Sequence, residues 1–249
     1  MSLPWKHAIV VGASSGIGKA LAEELLKQGV SVAMIARRNE EMERIAQASP
    51  KAPGVKALVY PHDVLNYDAT PALFQEITHD LGGLDLIIYA SGVMPNVDEH
   101  EYNFTKDRAM LEVNTVAAFA WLNEAAKRFE QTKHGTIVGI SSIAGERGRR
   151  GNPAYCTSKA ALTTYLESLR NRLTRYGVKV VTIKPGFIDT EMTRGKPGLF
   201  WLISAEAAAK EILAKSARGK RSAFIPARWA LVALIIRNIP SFIFSKLGI

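Results

Sequence analysis

Tyr155 and Lys159 stand four residues apart in Asn-Pro-Ala-Tyr-Cys-Thr-Ser-Lys, and Ser142 precedes them in Gly-Ile-Ser-Ser-Ile-Ala-Gly. On a helix, positions i and i+4 share a face, so this spacing predicts the Lys159 ammonium beneath the Tyr155 phenol. A free tyrosine titrates near pH ~10, and a neighbouring cation favours the phenolate. The expectation is a Tyr155 of lowered pKa, able to exchange a proton near neutral pH. Taken singly, the pair also reads as two surface neighbours, and Ser141–Ser142 as the end of a strand.

A second group lies near the N-terminus. Gly12-Ala13-Ser14-Ser15-Gly16-Ile17-Gly18 follows an apolar run and opens a helical one. Glycines there allow a tight turn and close backbone approach, while the helix N-terminal amides attract a phosphate. The next apolar run ends Met34-Ile35-Ala36-Arg37-Arg38. A fold that binds NAD usually has an acid here for the ribose hydroxyls. Ala36 cannot accept, whereas Arg37 suits a ribose 2′-phosphate, with Arg38 as a second contact; an ordinary solvated arginine pair is the alternative. Asp63 would accept from an adenine amino group or cap a turn.

These groups must be positioned by the elements between them. Apolar β-rich runs at 7–11, 30–36, 55–60, 84–90, 136–141, 178–184 and 222–225 alternate with helical runs at 16–28, 40–48, 69–81, 106–129, 153–176 and 205–215. Such alternation predicts right-handed βαβ units. The expected fold is α/β: one doubly wound Rossmann-type domain spanning 1–249, a mainly parallel seven-stranded sheet with helices on both faces. The uninterrupted Ile9-Val10-Val11 and Leu86-Ile87-Ile88 read as central strands. With 249 residues, 47% of them hydrophobic, the chain can bury a substantial core.

The full set of motifs resembles the short-chain dehydrogenase/reductase family over essentially the whole chain up to about residue 225. Its glycine motif corresponds to Gly12, Gly16 and Gly18, its active-site pattern to Ser142, Tyr155 and Lys159, and its helix asparagine to Asn114 in Leu-Glu-Val-Asn-Thr. Pro185-Gly186-Phe187-Ile188-Asp189-Thr190 resembles the segment that meets a nicotinamide. The resemblance implies an enzyme that interconverts a carbonyl and an alcohol with NADP(H) preferred and NAD(H) second. Tyr155 would be the acid/base, Ser142 would hold the substrate oxygen, Lys159 would tune the phenol and bind the ribose, and Asn114 would hold a water joining Lys159 to solvent. Ser14, Ser15, Ile17, Val64, Ala90, Gly92, Pro185, Gly186, Ile188 and Thr190 would complete the cofactor site. A homodimer or homotetramer is implied. Tyr89-Ala90-Ser91-Gly92 departs from the family's frequent Asn-Asn-Ala-Gly, and Val11 stands where a threonine is frequent. A non-catalytic NADP-binding sensor or scaffold is the rival reading.

Leu199, Phe200 and Trp201 fall in a stretch, 191–204, where the family has a substrate lid. They would meet a hydrophobic substrate or pack into a core or interface. Residues 226–249 form an apolar extension interrupted at Pro240, read either as a cover over the site or dimer interface, or as a peripheral membrane contact. Arg147, Arg149 and Arg150 would face an anionic substrate or be a solvated charge run. The net charge of +9 admits anionic partners, but the scattered cations and the lack of a zinc-finger or aromatic RNA-binding pattern argue against nucleic acid. The five histidines show no metal-ligand spacing, so no metal is expected. A single cysteine, Cys156, read as a packed thiol, and a start without a secretory pattern give a cytoplasmic expectation.

Overall fold

The computed structural model describes residues 3–196 and 198–248. Met1, Ser2, Pro197 and Ile249 lie outside the described residues, so one position of the expected 191–204 lid does too.

Seven strands form one parallel sheet: β1 (His7–Val11), β2 (Ser31–Ala36), β3 (Ala57–Pro61), β4 (Leu86–Tyr89), β5 (Thr136–Ile140), β6 (Lys179–Pro185) and β9 (Ser222–Ile225). Their spatial order is β3-β2-β1-β4-β5-β6-β9, so the winding reverses between β1 and β4. In open α/β sheets a ligand crevice forms at that reversal, beyond the carboxyl ends of the strands. Between the strands run α1 (Gly16–Lys27), α2 (Asn39–Ala48), α3 (Thr70–Leu81), α4 (Phe104–Leu111), α5 (Ala117–Thr132), α6 (Pro153–Leu173) and α7 (Ala205–Ala217). A two-stranded parallel ribbon, β7 (Ile188–Asp189) with β8 (Ile203–Ser204), was not expected.

Alternation along each strand divides the core into two layers. Ala8 and Val10 of β1 join Met34, Ile88 and α1, α2 and α7 residues such as Leu21, Met42 and Ile212. Ile9 and Val11 face the other way, with Ile35, Tyr89 and Phe74, Trp121 and Leu166 of α3, α5 and α6. Each fully buried Ile, Leu or Phe side chain contributes about 1.5–3 kcal/mol. Both faces are covered, which is why β1 and β2 read as continuous apolar runs.

Two expected helices differ in detail. The run 106–129 is not one α-helix: α4 and α5 are joined by a π-helical turn, Glu112–Val116. The Tyr89 hydroxyl donates to the Val113 carbonyl at 2.6 Å and Asn114 is held across to α6, so side-chain contacts are made at the turn in place of a regular helix. The run 153–176 ends as α6 at Leu173, followed by a 3₁₀ turn, Thr174–Tyr176. Beyond β9 the apolar extension forms α8 (Trp229–Asn238) and α9 (Ser241–Phe244), broken at Pro240 as its ring requires. No helix among the described residues is long and apolar enough to cross a membrane.

Candidate active site

A cavity of about 910 Å³ opens over the carboxyl ends of the central strands. Gly12, Ser14, Ser15, Gly16, Ile17 and Gly18 form one part of its wall. The turn is held by packing: Gly12 has φ +91°, and a Cβ there would lie 2.5 Å from the Ser91 amide nitrogen, while a Cβ on Gly18 would lie 2.0 Å from the Gly12 carbonyl oxygen. Ser15, the N-cap of α1, makes no side-chain capping bond, and the first turn of α1 has no acidic residue. The amides at this helix start are therefore left to an anion, which fits a pyrophosphate.

Arg37, Arg38, Asp63, Val64, Ala90, Gly92, Pro185, Gly186, Ile188 and Thr190 also line the cavity. Arg38, rather than Arg37, is tied to the glycine turn: its Nε donates to Ser14 Oγ at 3.2 Å, and its Nη1 lies 3.4 Å from Glu191 Oε2. Asp63 Oδ1 accepts from the Leu65 amide at 3.1 Å, the turn-capping role, while the residue still faces the cavity.

Ser142, Tyr155 and Lys159 share the same wall. Ser142 lies two residues beyond β5 and caps a 3₁₀ turn, Ile143–Glu146, accepting from the Ala144 amide at 3.1 Å. Tyr155 and Lys159 lie in the first two turns of α6. The N-cap of that helix, Asn152, takes the Tyr155 amide at 3.2 Å on Oδ1 and donates from Nδ2 to the Pro95 carbonyl at 3.1 Å. Pro153 then sets the first helical residue. The Lys159 ammonium donates to the Ile140 carbonyl at 3.0 Å and lies 5.8 Å from the centre of the Tyr155 ring. An ammonium has three donors, so two of the three on this buried group remain for a ligand.

Two expectations change here, at Tyr155 and at the lid aromatics, and the contacts of Asn114 become explicit. Lys159 does not lower the Tyr155 pKa: burial pushes it up, and the opposing influences are the Ser142 hydroxyl and the Arg149 charge. Burial also lowers Lys159, to about 8. Asn114 is fully buried and stands behind the cavity wall. Its Oδ1 accepts from the Val93 amide at 2.7 Å, and its Nδ2 donates to the Val93 carbonyl and to Ser158 Oγ, each at 3.0 Å. Both amide protons are engaged, so the side chain clamps the loop after β4 to α6, while the residue's carbonyl oxygens keep the acceptor capacity that the expected water would use. Leu199 lines the cavity, but Phe200 and Trp201 are absent from its wall. Phe200 stacks on Trp229 with ring centres 5.1 Å apart, and Trp201 meets the same indole edge-on at 5.7 Å. Both pack on Trp229 with one side and stay exposed on the other.

Gly92 keeps the close approach that the altered segment after β4 needed: a Cβ there would meet Asn114 Oδ1 at 3.3 Å and Lys159 Nζ at 3.4 Å. Sequence reasoning missed the Ser14–Arg38–Glu191 bridge and the part played by Glu146. That carboxylate is buried and pairs with Lys184 at 2.7 Å and with Arg237, tying the turn after Ser142 to β6 and α8. An acid between two serines and an arginine run gave no signal by itself.

Comparison with known proteins places the chain among oxidoreductases. The chain is 32% identical over 244 residues to an uncharacterized oxidoreductase of Myxococcus xanthus, covering 98% of this chain and 96% of the relative. It is 30% identical over 220 residues to an uncharacterized oxidoreductase of Mycobacterium tuberculosis, covering 88% and 87%. Nodulation protein G of a Rhizobium species is 31% identical over 191 residues, 77% of this chain and 76% of that protein. Among solved structures, ElxO with NADP bound shares the fold at a TM-score of 0.78 and 22% identity, over 89% of this chain and 97% of that one. A tyrosine-to-phenylalanine variant of ElxO with NADPH bound matches equally well. The short-chain dehydrogenase family model matches residues 6–197, and with the seven-stranded parallel sheet and these oxidoreductase relatives it places this chain in the short-chain dehydrogenase/reductase family of oxidoreductases.

Proposed function

We propose that the protein reduces a carbonyl compound of fairly hydrophobic character to an alcohol, with NADPH as the preferred hydride donor. The observation that carries this reading is the convergence of Ser142, Tyr155 and Lys159 on one cavity whose other end is the glycine turn. The nicotinamide, when bound, supplies hydride to the carbonyl carbon. The protein's own groups do the rest. Ser142 hydrogen-bonds the carbonyl oxygen and fixes it beside the phenol. Tyr155 donates its proton to that oxygen as negative charge develops. Because burial holds the phenol protonated through the physiological range, the resting site is ready to act as an acid. Lys159, of lower pKa, is then the stronger acid and can return a proton to the phenolate. Asn114 keeps the Lys159 side of the pocket in place through Val93 and Ser158.

Arg38 with Ser14, and Arg37 beside them, favour a ribose carrying a 2′-phosphate. The ElxO structures contain NADP or NADPH, in keeping with that preference. Apolar wall residues such as Val93, Met94, Phe187 and Leu199 support a hydrophobic substrate body. The inner face of α8 backs the site, with Trp229 and Ala233 against Ile143 and Phe187. Its outer face leaves Leu231 and Leu234 exposed, with Phe242 of α9; this reading takes it as a self-association surface of a homodimer or homotetramer. Sedimentation tests that assignment, and flotation with anionic liposomes would move it to a membrane surface.

The test of the reaction is a panel of aldehydes and ketones followed by loss of NADPH absorbance, in wild type and Tyr155→Phe. Turnover that survives loss of the phenol overturns the proton transfer. NADPH binding with no turnover of any carbonyl would favour the sensor reading instead.

A further inference from the structure

Of the three arginines between Ser142 and Tyr155, two are engaged in holding the C-terminal helices. Arg147 donates to the Ile236 carbonyl at 2.8 Å and to Ser241 Oγ at 3.3 Å, and its guanidinium lies 4.1 Å from the Phe244 ring centre. Arg150 pairs with Glu99 at 3.2 Å, and its Nη2 lies 3.5 Å from the Ser245 carbonyl oxygen just after α9. Arg149 has no such task. It lines the catalytic cavity with Ser142, Tyr155 and Leu199, and its Nε is buried without a hydrogen-bond partner.

The charge around it is one-sided. The acids in the cavity wall, among the described residues, are Asp63 and Glu191, and both belong to the Arg37–Arg38 end, where Glu191 pairs with Arg38. The same wall carries the apolar Met94, Pro95, Ala144 and Leu199 as well as Ser142 and Tyr155. Arg149 is half-buried, and no carboxylate among the described residues pairs with its guanidinium, so an anion in the cavity would meet an uncompensated cation. Its closeness to the chemistry has an independent sign, since its charge acts on the Tyr155 phenol.

We propose that Arg149 is the substrate anchor of this site: it receives a carboxylate carried by the carbonyl substrate, so that the substrate class is an oxo acid with an apolar body. The inference rests on the carbonyl-reductase reading of the cavity. A carboxylate matches the planar fork of a guanidinium in a two-pronged contact with its two terminal nitrogens. Its arrival would also neutralise the cation that draws the phenol pKa down, leaving Tyr155 more firmly protonated at the moment it must donate. The apolar wall would hold the chain between carboxylate and carbonyl, and the Ser142–Tyr155 pair would take the carbonyl oxygen.

The test compares short- and medium-chain oxo acids with their methyl esters in wild type, Arg149→Met, Arg149→Lys and Lys196→Met, Lys196 being another cation in the cavity wall. Wild type is expected to prefer the acids. Arg149→Met should lower kcat/KM for an acid about a hundredfold, leave the ester within about threefold, and leave KM for NADPH unchanged. Arg149→Lys should recover part of the loss. Equal losses for acid and ester, a wild-type preference for esters, or loss of acid preference in Lys196→Met with Arg149 intact would overturn the assignment. If wild type reduces neither kind of compound, the reaction reading fails, and the anchor is read by binding alone: alkyl carboxylates should raise the melting temperature of wild type with NADPH but not that of Arg149→Met, while matching alkyl amides raise neither. Carboxylate stabilisation equal in both proteins, or absent from wild type, refutes the anchor without reference to turnover.

Discussion

Discrimination between NADPH and NADH should reside in Arg38 more than in Arg37, with Glu191 setting its strength. Arg38 is already fixed against the glycine turn by its bond to Ser14, so little ordering remains when a phosphate arrives. At a contact of about 4 Å, two unit charges attract by about 1 kcal/mol in water and about 4 kcal/mol at an effective dielectric of ~20. The Arg38 side chain is 47% exposed, between those limits. A loss of about 2 kcal/mol, or about thirtyfold in NADPH affinity, is expected for Arg38→Ala, with NADH affinity almost unchanged. Glu191 competes for the same guanidinium at 3.4 Å and would repel a phosphate, so Glu191→Gln should tighten NADPH by about two- to fivefold. Fluorescence titration of each variant with both cofactors, at low and high salt, provides the measurement. The NADPH advantage should shrink as salt screens the contact. Equal weakening of NADPH and NADH by Arg38→Ala, or weaker NADPH binding in Glu191→Gln, would refute the placement of the phosphate between Ser14 and Arg38.

Two further substitutions probe what holds the catalytic end. Glu146→Gln leaves Lys184, 5% exposed, without its carboxylate, so urea melts should show a loss of about 3–5 kcal/mol, and a loss below about 1 kcal/mol would remove the ion triad from the structural account. Lys159→Met removes a cation whose pKa falls from the ordinary 10.5 to about 8 on burial. Between those pH values the unfolded chain holds a proton that the folded protein has released, so wild-type stability gains from this group as pH rises through the window. The penalty, about 3 kcal/mol, is fully present below it. The stability of wild type relative to Lys159→Met should therefore improve by up to that amount from pH ~7 to ~10.5, and a constant difference would refute the buried-cation account.

The sequence made the sheet legible because its strands are buried on both faces and separated by helices of ordinary length. Ile9-Val10-Val11 can be little else than a central parallel strand once Gly12 follows it. The convergence of Ser142, Tyr155 and Lys159 on one cavity was legible for a different reason: the proton transfer proposed for them requires particular side chains at particular spacings, and those spacings stand in the order of the chain. What sequence could not give was competition between contacts. Phe200 and Trp201 are apolar residues in a lid segment, and nothing in their order says that Trp229, 28 residues beyond Trp201, takes them into an aromatic cluster. Arg147, Arg149 and Arg150 are alike in sequence, and only the position of α8 and α9 separates two structural clamps from one unpaired group in the cavity.

The same limit explains the reversed expectation at Tyr155. Helical spacing places Lys159 near the phenol, and a cation at that distance in water would lower its pKa. Desolvation acts on both groups at once, however, and in opposite directions: it disfavours phenolate and ammonium alike, raising one pKa and lowering the other. The pair then holds its protons in the reverse of the order found in small molecules, where tyrosine and lysine titrate close together at about 10 and 10.4. A phenol that keeps its proton beside an ammonium that yields one more readily suits a site that donates to a carbonyl and is then replenished. Alcohol oxidation needs the phenolate, so the two directions should part with pH: kcat for carbonyl reduction should stay level below about pH 8 and decline as Lys159 loses its proton, whereas alcohol oxidation should keep rising into the alkaline range.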